Sequence, residues 1–279
     1  MASCGVCGGE AVLWRVVDGY DYFDCGVCGS IAIDAASLDQ IDSGNFPRHY
    51  DPDYWAMEAR DARDRSFGSS LARVAESFLY ARRPIDRYVD IGSGPGFLLD
   101  ALSIYLPAAS QLFFGVEKFP PAEHSTHPGY IVGDLADEAG VFDAGVCVEV
   151  VEHLTPTMFR QVATAMAKCS APGSLYYFNT GMPEYVKNED QGYMDPLRRG
   201  HIVSWGWEAL RMIFEPLGFT VFPVQRKTFA FVVEFQSSDQ TAMADRIWTP
   251  HPQNRAALID PQMGSVMFAL GLESARAYA

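Results

Sequence analysis

The segment that most restricts how this chain can fold is Tyr88-Val-Asp-Ile-Gly-Ser-Gly-Pro-Gly-Phe97. Four residues of strand character run into three closely spaced glycines, and a helix-forming run over 97–106 begins at once. Gly92, Gly94 and Gly96 let the main chain turn sharply and approach a ligand closely, so the unit predicts a strand, a tight loop and a helix bordering a binding crevice. From residue 70 onward helical and strand patterns alternate. Further strands are predicted over 112–116, 130–132, 141–148 and 174–178, with helices over 156–169 and 205–217. Two β-rich stretches, 219–224 and 229–235, suit a closing antiparallel hairpin. This is the pattern of an α/β sheet with helices on both faces, and 48% hydrophobic residues in 279 supply its core.

Acidic residues follow the loop at successive strand ends. Glu117 closes the second strand about 20 residues on, where a carboxylate accepts hydrogen bonds from both hydroxyls of a ribose. Asp134 follows the third strand, placed to take an adenine amino group, and Leu135 beside it is placed to pack on the ring. Together they describe an adenosine site. A dinucleotide loop of the Gly-x-Gly-x-x-Gly type is the competing reading, against which the third glycine comes too early.

With these residues in place, the region from about 70 to 235 resembles a class I S-adenosylmethionine-dependent methyltransferase, whose Rossmann-like sheet carries helices on both faces. The resemblance implies that Asp90, Gly92, Ser93, Gly94, Gly96 and Phe97 surround the methionine part of the cofactor. It assigns the ribose to Glu117 and the adenine to Asp134. Phe142-Asp-Ala-Gly-Val-Cys-Val-Glu-Val-Val-Glu-His-Leu154 resembles the family's fourth strand and following loop, which puts Glu149 nearest the cofactor's amino group and His153 on the acceptor side. His153 is the first choice for a general base, because an ordinary imidazole pKa near 6.5 suits proton removal at neutral pH. The plainer alternative has Glu152 and His153 bracing the next helix. A third reading starts from Glu-x-x-Glu-His together with the later His201. That string is similar to the one in small-RNA 2′-O-methyltransferases, where a divalent ion is held by two glutamates and two histidines, here Glu149, Glu152, His153 and His201. It also occurs in quinone-type and many small-molecule O-methyltransferases, so it does not specify RNA.

Cys4-Gly-Val-Cys7 and Cys25-Gly-Val-Cys28 are matched knuckles, each followed by glycine, which predict a closed four-thiolate zinc site in a small ribbon. The stretches 11–17 and 20–24, joined by Asp18-Gly19, predict its hairpin. Cys147 and Cys169 lie in apolar surroundings. The expected organisation is a zinc ribbon over 1–33, a connector or lid over 34–69, the methyltransferase domain over 70–236 and a tail over 237–279, packed on the core or in a homodimer contact. A ribbon, an aromatic connector and a class I core together resemble bacterial methyltransferases of sugar, polysaccharide or natural-product biosynthesis. In such proteins the connector helps cover the cofactor, which makes Tyr50, Tyr54 and Trp55 candidate pocket walls. A formal charge of −14 disfavours a nucleic-acid partner. No apolar run is long enough to span a bilayer and no secretory signal opens the chain, so a cytoplasmic enzyme acting on a small molecule is expected. A non-catalytic S-adenosylmethionine sensor is the alternative from another class.

Overall fold

The computed structural model describes residues 2–47 and 52–278, with the backbone alone for 52–58. The N-terminal module is built from β1 (Ala2–Ser3), β2 (Glu10–Val17), β3 (Tyr20–Cys25) and β4 (Ile31–Ile33), paired antiparallel in that order. Asp18 and Gly19 both have positive φ, 53° and 86°, the combination a two-residue hairpin turn needs to follow strand twist. Asp34 then caps α1 (Ala35–Asp42) by accepting from the Ser37 N–H, and α2 (Pro52–Ser66) and α3 (Ser69–Tyr80) follow.

The central sheet holds seven strands. In chain order its elements are β5 (Tyr88–Ile91), α4 (Phe97–Tyr105), β6 (Phe113–Glu117), β7 (Tyr130–Val132), β8 (Phe142–Val148), α5 (Pro156–Lys168) and β9 (Ser170–Asn179). After β9 come α6 (Pro183–Asn188), the short β10 (Val203–Ser204), α7 (Trp207–Phe214), β11 (Phe219–Pro223) and β12 (Ala230–Phe235). The spatial order is β11-β12-β9-β8-β5-β6-β7, parallel from β9 to β7, with β12 and β11 antiparallel at the other edge. This is the Rossmann-like arrangement expected of the alternating pattern, including the closing hairpin. Since β5 sits between β8 and β6, the chain reverses its direction of travel there, and the crevice at the carboxyl ends of β5 and β8 is where such sheets bind ligands.

Each sheet face buries its own apolar layer. On one side Phe159 of α5 meets Trp205 and Phe214 at ring-centroid distances of 4.8 and 5.4 Å. On the other, α3 and α4 pack beneath the tail, which forms α8 (Met243–Arg246), α9 (Pro252–Ile259) and α10 (Gly264–Ala277). The tail therefore covers the core. Gly271 of α10 lies so near α3 that a Cβ there would sit 2.5 Å from the Ala75 methyl. The buried pair Arg246–Glu234, bidentate at 3.0 Å for each bond, ties α8 to β12.

Some boundaries differ from those the sequence predicts. β9 starts at Ser170, because the expected turn at Ala171-Pro-Gly173 is absorbed as an irregularity in the strand, with Gly173 at φ 84° and the Ser174 hydroxyl donating to the Phe142 carbonyl. α7 is shorter than 205–217. Gly206 caps it, Trp205 is buried with its indole N–H on the Val151 carbonyl, and Pro216 converts the end to a 3₁₀ turn. β10 pairs with β4, Val203 opposite Ala32 and Ser204 opposite Ile31, so the ribbon sheet runs into the loop before α7. Further bonds join ribbon and loop: the Ile33 N–H to the Ile202 carbonyl at 2.9 Å and the Tyr22 hydroxyl to the His201 carbonyl at 2.7 Å.

Candidate active site

A cavity of about 560 Å³ opens at the predicted crevice. Its floor is the β5–α4 loop. Gly92 and Gly96 have φ of 74° and 80°, and a Cβ would collide with Val150 at 2.7 Å in the first case and with Ser125 at 2.6 Å in the second. Asp90, Gly92, Ser93, Gly94, Phe97, Glu117 and Glu149 all line the cavity. The Gly94 and Phe119 N–H groups each donate to one oxygen of Glu117 at 2.8 Å, which pre-orients that carboxylate. Asp90 is buried, and desolvation, with Glu117 nearby, pushes its carboxyl up to about 7. The Ser93 hydroxyl lies against Gly115 and finds no hydrogen-bond partner among the described residues.

Asp134 and Leu135 are not among the cavity's lining residues. Asp134 takes the Lys118 ammonium at 2.7 Å and caps a 3₁₀ turn through the Ala136 N–H, while Leu135 is buried in the apolar core. The connector does reach the cavity, through Ala59, Ala62, Arg65 and Ser66 of α2. Tyr50 lies outside the described residues, as do the side chains of Tyr54 and Trp55.

At the end of β8, Glu149 adopts φ 53°, a left-handed conformation that costs a residue with a side chain about 1–3 kcal/mol and is characteristic of sites held by their surroundings. Its Oε1 accepts from Asn179 Nδ2 at 2.9 Å, and Oε2 lies 3.4 Å from the Tyr193 hydroxyl. That hydroxyl receives the Gly181 N–H at 2.9 Å and stands 3.1 Å from Glu152 Oε1; Thr180 donates to Glu152 Oε2 at 3.0 Å. Burial and the neighbouring Glu152 push Glu149 up to about 8, and burial raises Glu152 as well. His201 lies with its Nε2 3.9 Å from Glu152 Oε1 and its Nδ1 2.7 Å from the Tyr193 carbonyl. His153 Nδ1 is 3.1 Å from the Gly200 carbonyl. A carbonyl only accepts, so each neutral ring protonates Nδ1 and leaves a lone pair on Nε2. Burial, then His153, holds His201 well below the usual imidazole range. The two rings are 4.9 Å apart, and ligand atoms of Glu152, His153 and His201 all lie within 4.8 Å of one another. Glu149 stands outside that trio and is joined to it through Tyr193.

Nothing in the periodicity or motifs of the sequence singles out Tyr193, Arg65 or Phe119. For Asn179 and Thr180 a signal existed: a polar pair directly after the apolar run Leu175-Tyr-Tyr-Phe178, at the carboxyl end of a predicted strand.

The four ribbon sulfurs converge. Cys4 Sγ is 3.8 Å from Cys28 Sγ and Cys7 Sγ is 3.6 Å from Cys25 Sγ, against about 3.8 Å for the edge of a tetrahedron with metal–sulfur bonds of about 2.3 Å. The Val6, Gly9 and Cys28 N–H groups each approach a knuckle sulfur at 3.4 Å, as amides do around thiolate ligands. The donor set fits a tetrahedral metal. None of these cysteines is in a disulfide.

No protein-family profile and no curated protein sequence matches the chain. Solved structures that it resembles include CalS10, an amino pentose methyltransferase from Micromonospora echinaspora solved with S-adenosylmethionine, at 19% identity and TM-score 0.46 over 67% of this chain and 98% of that one. DesVI of Streptomyces venezuelae matches at 13% identity and TM-score 0.46, over 67% of this chain and 99% of that one. CalO1, a methyltransferase of calicheamicin biosynthesis, matches at 18% identity and TM-score 0.46, over 71% of this chain and 60% of that one. Among the described residues no helix is long and apolar enough to cross a membrane.

Proposed function

We propose that the protein is an S-adenosylmethionine-dependent methyltransferase that methylates a small-molecule acceptor at oxygen, a sugar or another intermediate of natural-product or polysaccharide assembly. The observation that carries this reading is the convergence of Asp90, Glu117 and Glu149 on one glycine-floored cavity at the sheet's switch point. Three carboxylates suit a ligand that carries a sulfonium, an ammonium and a vicinal diol. The bound cofactor supplies the methyl group on a positively charged sulfur. Glu117, already aimed by two N–H groups, takes the ribose, Phe119 at the cavity edge offers a face to the base, and Asp90 and Glu149 balance the cationic end. His153, four residues after the cavity-lining Glu149 and with its Nδ1 on the Gly200 carbonyl, is the general base of this reading. The α2 residues over the cavity support a lid, which would exclude water from the transfer. A structural zinc ion at Cys4, Cys7, Cys25 and Cys28 belongs to the same reading, supported by the sulfur spacing. The acidic balance of −14 favours small acceptors over nucleic acid.

Incubation with methyl-labelled cofactor and panels of sugars, phenols and RNA, followed by mass spectrometry, is expected to yield a product one methyl group heavier among the small molecules. Glu117→Ala is expected to weaken cofactor binding roughly tenfold or more, the worth of a lost charged hydrogen-bond acceptor. Tight cofactor binding with no transfer to any acceptor would replace the enzyme by a sensor.

One observation favours a second reading. Glu152, His153 and His201 each bring one possible ligand atom within 4.8 Å of the others, and each imidazole is fixed by a carbonyl at its Nδ1, as histidine ligands commonly are. A divalent ion there would act as a Lewis acid on the acceptor hydroxyl, the chemistry that also serves ribose methylation in RNA. On this reading Glu152→Ala and His201→Ala each abolish metal-dependent turnover. Unchanged rates and unchanged metal dependence in both variants remove it, and RNA binding that persists at moderate salt is the further mark of the nucleic-acid version.

A further inference from the structure

Behind Glu149 lies a polar network none of whose members lines the cavity. It begins at Asn179, the last residue of β9, whose carbonyl accepts the Glu149 N–H at 2.9 Å and whose Nδ2 donates to Glu149 Oε1 at 2.9 Å. The other end of the amide, Oδ1, receives Arg73 Nε at 3.2 Å. A guanidinium carries only donors, so the oxygen must face Arg73 and the NH₂ must face Glu149; the amide has one workable orientation. Arg73 is itself held on several sides. Its Nη1 donates to Glu76 Oε1 at 2.7 Å and to the Ser274 hydroxyl at 3.0 Å, and its plane lies 5.4 Å from the Phe229 ring centre. Glu76 is fully buried and takes Lys227 Nζ at 2.7 Å on both oxygens, and the Ser274 hydroxyl also donates to it. Hydrogen bonds therefore run without a break from α10, through Arg73 of α3 and Asn179, to the carboxylate of a residue that lines the cavity.

A network this well satisfied could serve only to hold α3 and α10 on the sheet. Its termination on Glu149 points further. The Glu149 backbone is left-handed, and the shortest hydrogen bond to its carboxylate is the one from the Asn179 amide at 2.9 Å, with the Tyr193 hydroxyl at 3.4 Å and Glu152 beside it. We propose that Asn179 and Arg73 are positioning residues that aim the Glu149 carboxylate at the ammonium group of the cofactor, with Ser274 of the C-terminal helix completing the relay. This rests on the methyltransferase reading above. It also gives the tail a part in cofactor recognition at a distance.

The test compares two ligands that share adenosine and a thioether but differ at the amino-acid end. S-adenosylhomocysteine carries the ammonium group; methylthioadenosine lacks it. Calorimetric titration of the full chain is expected to show that Asn179→Ala loses about tenfold in affinity for S-adenosylhomocysteine and less than twofold for methylthioadenosine, the first being the scale of one charged hydrogen bond. Arg73→Lys, which keeps the charge and loses the Nε–H, is expected to give a smaller loss with the same selectivity. In a Glu149→Gln background, Asn179→Ala is expected to cost nothing more, because no carboxylate remains there to be aimed. Equal losses for both ligands, or an undiminished loss in the Glu149→Gln background, overturn the positioning role and leave a structural one. Wild-type protein that binds neither ligand overturns the methyltransferase reading itself. If Arg73→Lys does not fold, the Asn179 and Glu149 variants decide the matter.

Discussion

Stripping the metal from the proposed zinc site, or replacing Cys25 by serine, is expected to lower the melting temperature by roughly ten degrees or more and to cost most of the cofactor affinity. The first effect follows from the chemistry of a closed site. Metal binding to four thiolates is itself folding free energy, about 10–16 kcal/mol in isolated zinc-finger peptides, and here part of it is shared with a larger scaffold. The second effect follows from topology. The ribbon sheet is continued by β10, and the Ile33 N–H and Tyr22 hydroxyl hold the carbonyls of Ile202 and His201. At Gly206 the two parts approach so closely that a Cβ would lie 2.3 Å from the Gly29 carbonyl carbon. That loop also carries Tyr193 and His201, which pack around Glu149 and Glu152. Loss of the metal should therefore loosen the acid cluster across the domain. Metal analysis is expected to give about one zinc per chain. Melting curves and S-adenosylhomocysteine titrations, before and after chelation, supply the rest. Cys25→Ser separates this site from Glu152, His153 and His201, which the substitution leaves in place. An apo protein with unchanged melting and unchanged affinity would refute the coupling.

The parts of this molecule that could be read in advance are those in which local sequence dictates local geometry. The glycine loop needs positive φ wherever it occurs, the cysteine knuckles need glycine after each pair, and Asp18-Gly19 needs a tight hairpin. The strand-end acids Glu117 and Glu149 belong here too, since a residue that closes a parallel strand in such a sheet reaches the crevice whatever the loop lengths. Leu135 marks the limit of this reasoning. It follows the third strand at the right distance, yet a 3₁₀ turn over Leu135–Asp137 rotates its side chain into the core and leaves Asp134 to Lys118. Turn geometry of that kind has no periodicity to read. Tyr193 is another instance: it lies on an irregular stretch between α6 and β10, and what brings it to Glu152 is tertiary packing, whereas His201 on the same stretch is named only through the resemblance. β10, two residues long, is too short for any strand pattern, although it joins the ribbon to the rest. Arg73 and Ser274 stand about 200 positions apart in a network that only the folded chain assembles.

Asp90→Asn is expected to raise the stability of the ligand-free protein while weakening its hold on the cofactor by about tenfold to a hundredfold. The carboxyl is buried at the end of β5, and desolvation together with Glu117 places its pKa at about 7, above the ordinary value of 3.8. Between those two values the folded protein binds more protons at this residue than the unfolded chain does. Stability therefore falls as pH rises from about 4 to about 7, and the full penalty persists above that. Three pKa units correspond to about 4 kcal/mol, an upper figure because local relaxation and water reduce it, so a gain of about 1–3 kcal/mol at pH 8 is expected for the amide. Melting curves across the range, with and without ligand, check both halves. Wild type should lose stability through the window, and Asp90→Asn should lack that part of the loss while retaining the contributions of other groups. Parallel pH profiles for the two proteins would contradict the assignment. The cost in the empty site has a functional meaning, because a cationic ligand brings the countercharge that a buried carboxylate lacks. Part of the binding energy is then the relief of a penalty already present in the fold, and the Asp90→Asn protein, having no charge to relieve at this position, would forgo it.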